Sequence, residues 1–260
     1  MPIVELNNVS RVFLGQSGPV YGLKGFNLII ERGEVVCVVG PSGCGKTTLL
    51  NVIAGFELPD IGEVLINGKK IERPAPNRFV IFQEHALFPW LNVRHNIEFG
   101  LKMARVAKNK RGDLADALLA AVNLSRFASS WIHELSGGMR QRVALARALA
   151  MDPEILLMDE PFAALDAQTR DMLHEEVEAI WQRTNKTMVF VTHNVREAVR
   201  LGTRVVLMTA QGAIQNEYPV DLPRNRHLED VDVVLIASRI RDDLMSKVIR
   251  PGPTEDRHAN

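Results

Sequence analysis

Two stretches of this sequence carry residue types placed for phosphate chemistry. The first, GPSGCGKTT at 40–48, fits G-x-x-x-x-G-K-[ST] and follows the apolar run VVCVV at 35–39, the strand context that marks a phosphate-binding loop. Gly40, Gly43 and Gly45 let backbone N–H groups approach phosphate oxygens, the helix that opens there points its positive end at them, and Lys46 adds a charge for β- and γ-phosphates. Thr47 offers a hydroxyl to Mg²⁺. The whole loop, with Pro41, Ser42, Cys44 and Thr48 between and beyond the glycines, is a candidate nucleotide site. The second stretch, ILLMDEP at 155–161, is a buried-type strand ending in two carboxylates, where the carboxyl edge of a parallel sheet presents side chains. Asp159 is placed to partner Mg²⁺, and Glu160 to accept a proton from a water attacking the γ-phosphate. A third stretch, LSGGMRQR at 135–142, opens a helix with a glycine pair. Ser136 and the N–H groups of Gly137 and Gly138 form a second anion site of the same kind.

The elements that must hold these groups read as an α/β fold. The opening third is strand-rich. Asn67-Gly68 lies between two apolar stretches as a hairpin turn, and RFVIFQ at 78–83 is a short strand ending at Gln83. From 92 to 151 the spacing turns helical, for example Leu114, Leu118 and Val122, and proline disappears between Pro89 and Pro153. This predicts an inserted helical subdomain over about 88–150. Strand signals return at 154–158 and 187–193, and between them Leu173, Val177, Ile180 and Trp181 fall on one helical face. A strand, helix, strand order implies parallel pairing. Residues 204–218 predict a closing hairpin turning near Gly212, and the last forty residues a helix through Val231, Leu235, Ile240, Leu244 and Val248 before a polar tail.

Bulk properties narrow the function classes. The chain has 260 residues, 46% of them hydrophobic, enough for one large domain or two small ones. Lys plus Arg and Asp plus Glu number 31 each, so no net field draws the protein to nucleic acid or anionic lipid, and no nucleic-acid partner is expected. Cys37 and Cys44 read as free thiols of a reducing compartment. No apolar run approaches the ~20 residues needed to span a bilayer, and the N-terminal residues lack a secretory pattern. Neither secretion nor membrane insertion is expected.

The phosphate loop, LSGGMRQR, MDEP, ALD at 164–166 and VTHN at 191–194, in that order and spacing, resemble the ATP-binding subunit of ABC transporters over nearly the whole chain. The resemblance implies a P-loop, RecA-like ATPase core with an N-terminal antiparallel β-subdomain and an inserted α-helical subdomain, spanning 1–225. A short C-terminal helical extension and polar tail would fill 226–260. It also implies ATP and Mg²⁺ as cofactors, and a homodimer that sandwiches two ATP molecules. Ser136, Gly137, Gly138 and Gln141 of one copy would close over the γ-phosphate held by the other. By the same resemblance Gln83 touches Mg²⁺ or the attacking water, His193 contacts the γ-phosphate, and Asp166 communicates across the dimer. Phe13 stacks on adenine, with Tyr21 the competing choice.

A motor without spanning segments needs partners. Leu87, Phe88, Pro89 and Trp90 form an apolar cluster just after Gln83, which either packs into the helical subdomain or receives a short cytoplasmic helix of a membrane permease. The stretch LFPWLNVRHNIEFGL, with GKKIERPAPNRFVIFQ before it and DEPFAALDAQTR after it, resembles importer ATPases of the nitrate, sulfonate and taurine group. The expected setting is the cytoplasmic face of a bacterial inner membrane, with an extracytoplasmic solute-binding protein engaged indirectly. No added regulatory β-domain of the kind many sugar importers carry is expected. An exporter ATPase or a non-transport ATP-dependent switch protein is the alternative.

Overall fold

The computed structural model describes residues 1–15, 18–82 and 86–248. Gln83 lies outside the described residues, so its expected contact has no structural counterpart below.

Two sheets organise the chain. The first is antiparallel, in the order β2-β1-β4-β5, built from β1 (Pro2–Gly15), β2 (Gly18–Glu31), β4 (Ile61–Ile66) and β5 (Lys69–Lys70). The β4–β5 turn is Asn67-Gly68 with φ of 50° and 71°, the left-handed pair that such a two-residue turn demands. The second sheet runs β10-β9-β3-β8-β7-β6, from β3 (Val35–Val39), β6 (Arg78–Ile81), β7 (Ile155–Asp159), β8 (Thr187–Val191), β9 (Arg204–Met208) and β10 (Ile214–Pro219). Its pairings are parallel except β9 with β10. That hairpin turns through Gly212, at φ 76°.

The central strands are continuously apolar because both of their faces are covered. Along β3, Val35, Cys37 and Val39 join one core, with side chains of α4 (Gly137–Ala150), α5 (Ala167–Thr184), α6 (Val195–Leu201) and α7 (Val231–Val248). Val36 and Val38 face the other core, with α1 (Lys46–Ala54) and the antiparallel sheet. The result is a layered α/β core whose β3, β7 and β8 all end at one edge. Both cysteines are buried free thiols.

A third core joins α2 (Val93–Met103), α3 (Lys108–Ala121) and α4 through Val93, Ile97, Leu119, Val143 and Ala146. Helix α4 serves two cores, since its Ala144, Leu145 and Ala148 face the parallel sheet. The expected stripe on α3 is displaced. Ala115, Leu119 and Val122 are buried, whereas Leu114 is exposed. This alanine-rich helix has no single apolar side, and contact with α2 and α4 selects the face. Helix α7 differs likewise: it begins at Val231, buries Val233, Ala237 and Ile240, and leaves Val231 and Leu235 exposed. Both i, i+4 pairs are apolar there, and packing on α6 decides between them.

Candidate functional site

The phosphate loop joins β3 to α1 over the carboxyl edge of the parallel sheet. Two of its glycines have conformations or contacts that a side chain would break. Gly43 has φ 76°, and a Cβ there would meet nothing within 4 Å, so this part of the loop faces open space. Gly45 has φ 97°, and a Cβ would lie 1.7 Å from the Gly22 carbonyl oxygen. The loop is therefore pressed against β2, and only glycine fits there. Lys46 is 7% exposed, and its Nζ donates to the carbonyl oxygens of Gly40 and Pro41 at 3.0 Å each. These bonds fold its ammonium back over the loop at the start of α1, where the helix end adds positive potential.

Two strand ends complete the arrangement. The Thr47 hydroxyl donates to Asp159 Oδ2 at 2.8 Å, tying α1 to the end of β7. Burial pushes the Asp159 carboxyl above its ordinary pKa, and the neighbouring Glu160 charge adds to the rise. Glu160 sits at φ 45°, a conformation uncommon for a residue with a side chain. Its N–H donates to the Val191 carbonyl at 2.9 Å. The next strand thus holds this left-handed turn, and Glu160 Oε2 meets His193 Nδ1 at 3.0 Å. His193 follows β8 as Glu160 follows β7, so the parallel pairing of Asp159 with Val191 brings together residues 33 apart in the chain.

These residues line one cleft of about 500 Å³: Ser42, Gly43, Gly45, Lys46, Thr47 and Thr48 form its floor, and Glu160 and His193 also line it, as do Phe13 and Tyr21 from β1 and β2. Both aromatics are partly exposed, at 38% and 42%. Arg11 lies over Phe13, 5.1 Å from the ring centroid, and Lys24 over Tyr21 at 5.3 Å. Gly40, Pro41 and Cys44 shape the loop from behind: Gly40 and Cys44 are buried, and a Cβ at Gly40 would come within 2.8 Å of Cys44 Sγ.

The second glycine pair is elsewhere. Ser136 caps α4 by accepting from Met139 N–H at 3.3 Å, and a Cβ on Gly138 would lie 2.2 Å from Thr169 Cγ2. Asp166 caps α5 by accepting from Thr169 N–H at 2.9 Å, which holds its carboxyl below its ordinary pKa. Ser136–Gly138 and Asp166 thus neighbour one another at the starts of two helices, and none of them lines the cleft. Gln141 is separated from this group: it is 3% exposed, and its Oε1 has no hydrogen-bond partner. One turn into α4 its side chain faces the packed interior, whereas Ser136 is exposed. The apolar cluster also divides. Leu87 packs against two cores and Phe88 stacks edge-on with Phe99 at 4.7 Å, whereas Trp90 is 69% exposed.

Among the described residues no three or more His, Cys, Asp or Glu side chains could hold a metal ion together. The Thr47 and Asp159 oxygens are hard donors, and their small number suits Mg²⁺, which keeps waters and takes substrate phosphates to fill its octahedron. The described helices include none long and apolar enough to cross a membrane. Sequence reasoning did not find the buried side chains behind the cleft, His174 and Glu197, whose partners come from distant elements.

Comparison with known proteins gives the chain a family and relatives. Residues 23–163 match the family model described as ABC transporter. The chain is 47% identical over 221 residues to the nitrate import ATP-binding protein NrtD of Synechocystis sp., covering 85% of this chain and 83% of that one. It is 42% identical over 250 residues to the taurine import ATP-binding protein TauB of Ruegeria pomeroyi, covering 94% and 93%. It also superposes with a TM-score of 0.74, at 33% identity, on a dimeric post-hydrolysis structure of an ATP-binding cassette bound to ADP and Pi, covering 85% of this chain and 100% of that one.

Proposed function

Because this chain belongs to the ABC transporter family and is an ATP-binding, ATP-hydrolysing cassette of it, we propose that it powers import of a small anion such as nitrate, a sulfonate or taurine. The observation that carries the hydrolytic half of this reading is the convergence of Lys46, Thr47, Glu160 and His193 on one cleft. The names of its relatives support the importer half.

The chemistry follows from where the side chains stand. The loop N–H groups and the start of α1 receive the phosphates, and Lys46 moves its ammonium from the two loop carbonyls to phosphate oxygens. Thr47 and Asp159 would hold Mg²⁺, which, when bound, neutralises charge that develops on the β- and γ-phosphate oxygens. Glu160 takes the proton of the attacking water as the water oxygen bonds to the γ-phosphorus. The bond from that phosphorus to the bridging oxygen breaks, and ADP and phosphate leave. His193, bonded to Glu160, keeps the carboxylate at the cleft and presents its ring to the γ-phosphate. Phe13 stacks on adenine, with Tyr21 the alternative. Ser136, Gly137 and Gly138 serve the nucleotide of a second copy, an assignment supported by their position away from the cleft. Asp166 beside them senses that contact. Two ATP molecules then join two subunits, and hydrolysis separates them.

Trp90 supports a permease contact, since its ring stays exposed while Leu87 and Phe88 turn inward. In this reading the subunit works at the cytoplasmic face of a bacterial inner membrane, with a solute-binding protein on the other side. The test is uptake of labelled nitrate, taurine and an alkanesulfonate by cells lacking this chain. Loss of uptake of one of them, restored by the wild-type chain, is expected. Unchanged uptake of all three, with ATPase activity intact in the purified protein, contradicts the importer assignment. Trp90→Ala should keep the ATPase activity of the isolated protein but fail to restore uptake; full restoration would remove Trp90 from the permease contact.

A further inference from the structure

Behind the cleft, the two loops that carry Glu160 and His193 are both linked to one buried ring, the first by packing and the second through Glu197. His174, on α5, is 0% exposed. Its Nδ1 lies 2.8 Å from Arg200 Nη1, and its Nε2 lies 2.9 Å from Glu197 Oε1. A guanidinium only donates, so Nδ1 accepts, and Nε2 carries the hydrogen given to Glu197. Asp171 flanks the pair, 3.9 Å from Nδ1 and 3.4 Å from Arg200 Nη1.

The chain of bonds continues to the catalytic loop. Glu197 is 5% exposed, and its Oε2 accepts from the Thr192 hydroxyl at 2.5 Å. Thr192 Oγ1 in turn accepts from the Asn194 N–H at 3.1 Å. Asn194 Oδ1 accepts from the N–H groups of Arg196 and Glu197, closing the turn. Both neighbours of His193 are thus tied, directly or through one hydroxyl, to the carboxylate that His174 holds. On its other side the His174 ring meets Phe162, with centroids 4.7 Å apart and planes at 88°. Phe162 is 2% exposed and lies two residues after Glu160. One imidazole therefore touches the loop after β7 by packing and the loop after β8 through Glu197 and Thr192.

We propose that His174 is a positioning residue for ATP hydrolysis: by locking Glu197 and Thr192 on one side and Phe162 on the other, it sets the Glu160–His193 pair in register over the γ-phosphate. Its effect is on turnover and not on nucleotide affinity, because neither His174 nor Glu197 lines the cleft. This rests on the reading of Glu160 and His193 as the hydrolytic pair. A misplacement of about 1 Å at reacting groups costs on the order of 100-fold in rate, so loosening the register should lower kcat by roughly 10- to 100-fold.

The experiment measures kcat and ATP affinity of the full chain for His174→Ala, His174→Gln, Thr192→Val and His193→Ala. His174→Ala and Thr192→Val should both lower kcat by that factor with ATP affinity unchanged. His174→Gln, whose amide can donate to Glu197 and accept from Arg200, should recover most of the loss. The double variant His174→Ala/His193→Ala should be slower than His193→Ala alone by less than the His174→Ala factor, because only the route to Glu160 through Phe162 is left to lose. If His174→Ala does not fold, Thr192→Val and the Gln variant still decide. Wild-type kcat in Thr192→Val, or equal loss in Gln and Ala variants, overturns the proposal while His193→Ala remains slow. Wild-type kcat in His193→Ala would instead overturn the reading of the hydrolytic pair itself.

Discussion

Glu160→Gln protein is expected to bind ATP as tightly as the wild type and to hydrolyse it about 10²- to 10⁴-fold more slowly, the usual worth of a positioned general base. The substitution keeps the side-chain volume and leaves the backbone bond from residue 160 to Val191 in place, so the left-handed turn after β7 persists. What it removes is the carboxylate proposed to take the water's proton. Because the floor of the cleft is formed by Ser42, Gly43, Gly45, Lys46, Thr47 and Thr48, affinity for the phosphates is expected to persist. Single-turnover hydrolysis with radiolabelled ATP, beside equilibrium binding, checks both halves. A variant that turns over at more than half the wild-type rate would take Glu160 out of the base role.

Lys46→Ala acts on the opposite half of the energetics. The ammonium is nearly buried, and its bonds run to two loop carbonyls and, at 3.9 Å, to Cys44 Sγ. Hydrogen bonds to charged groups contribute about 1.5–3 kcal/mol each. Losing one contact to a phosphate therefore weakens ATP binding by roughly 10- to 150-fold, and losing two removes it from any practical concentration range. Titration calorimetry with ATP should show no saturation where the wild type saturates, with circular dichroism unchanged. Wild-type affinity in the variant would mean that the loop N–H groups suffice and that Lys46 serves only the loop's own shape.

The parts of the fold that were legible in the sequence are those fixed by local chemistry. Asn67-Gly68 and Gly212 announced their turns because positive φ restricts residue choice, and 35–39 announced a strand because all five residues are apolar and four are valine. The stripes of α3 and α7 were not legible, because Leu114 and Val231 are as apolar as the residues that took their places inside. Only the neighbouring helices discriminate between them. In the site, the phosphate loop and Glu160 could be read from motif and strand context. The inward turn of Gln141 could not, since the same helix presents Ser136 outward one turn earlier. Nor could the junction at His174, which joins α5 to α6 through residues 23 and 26 apart. Phe13 and Tyr21 both line the cleft, one from each strand of the β1–β2 pair.

The central proposal is that two copies close over ATP and that the glycine pair at 137–138 of each serves its neighbour's nucleotide. The direct measurement is the mass in solution of Glu160→Gln protein by light scattering, with and without ATP and Mg²⁺, repeated with Gly138→Asp added. The expected result is a doubling of mass that requires ATP and disappears with the Gly138 substitution, while ATP binding by the monomer remains. Tight ATP binding by Glu160→Gln protein at an unchanged monomer mass would contradict it.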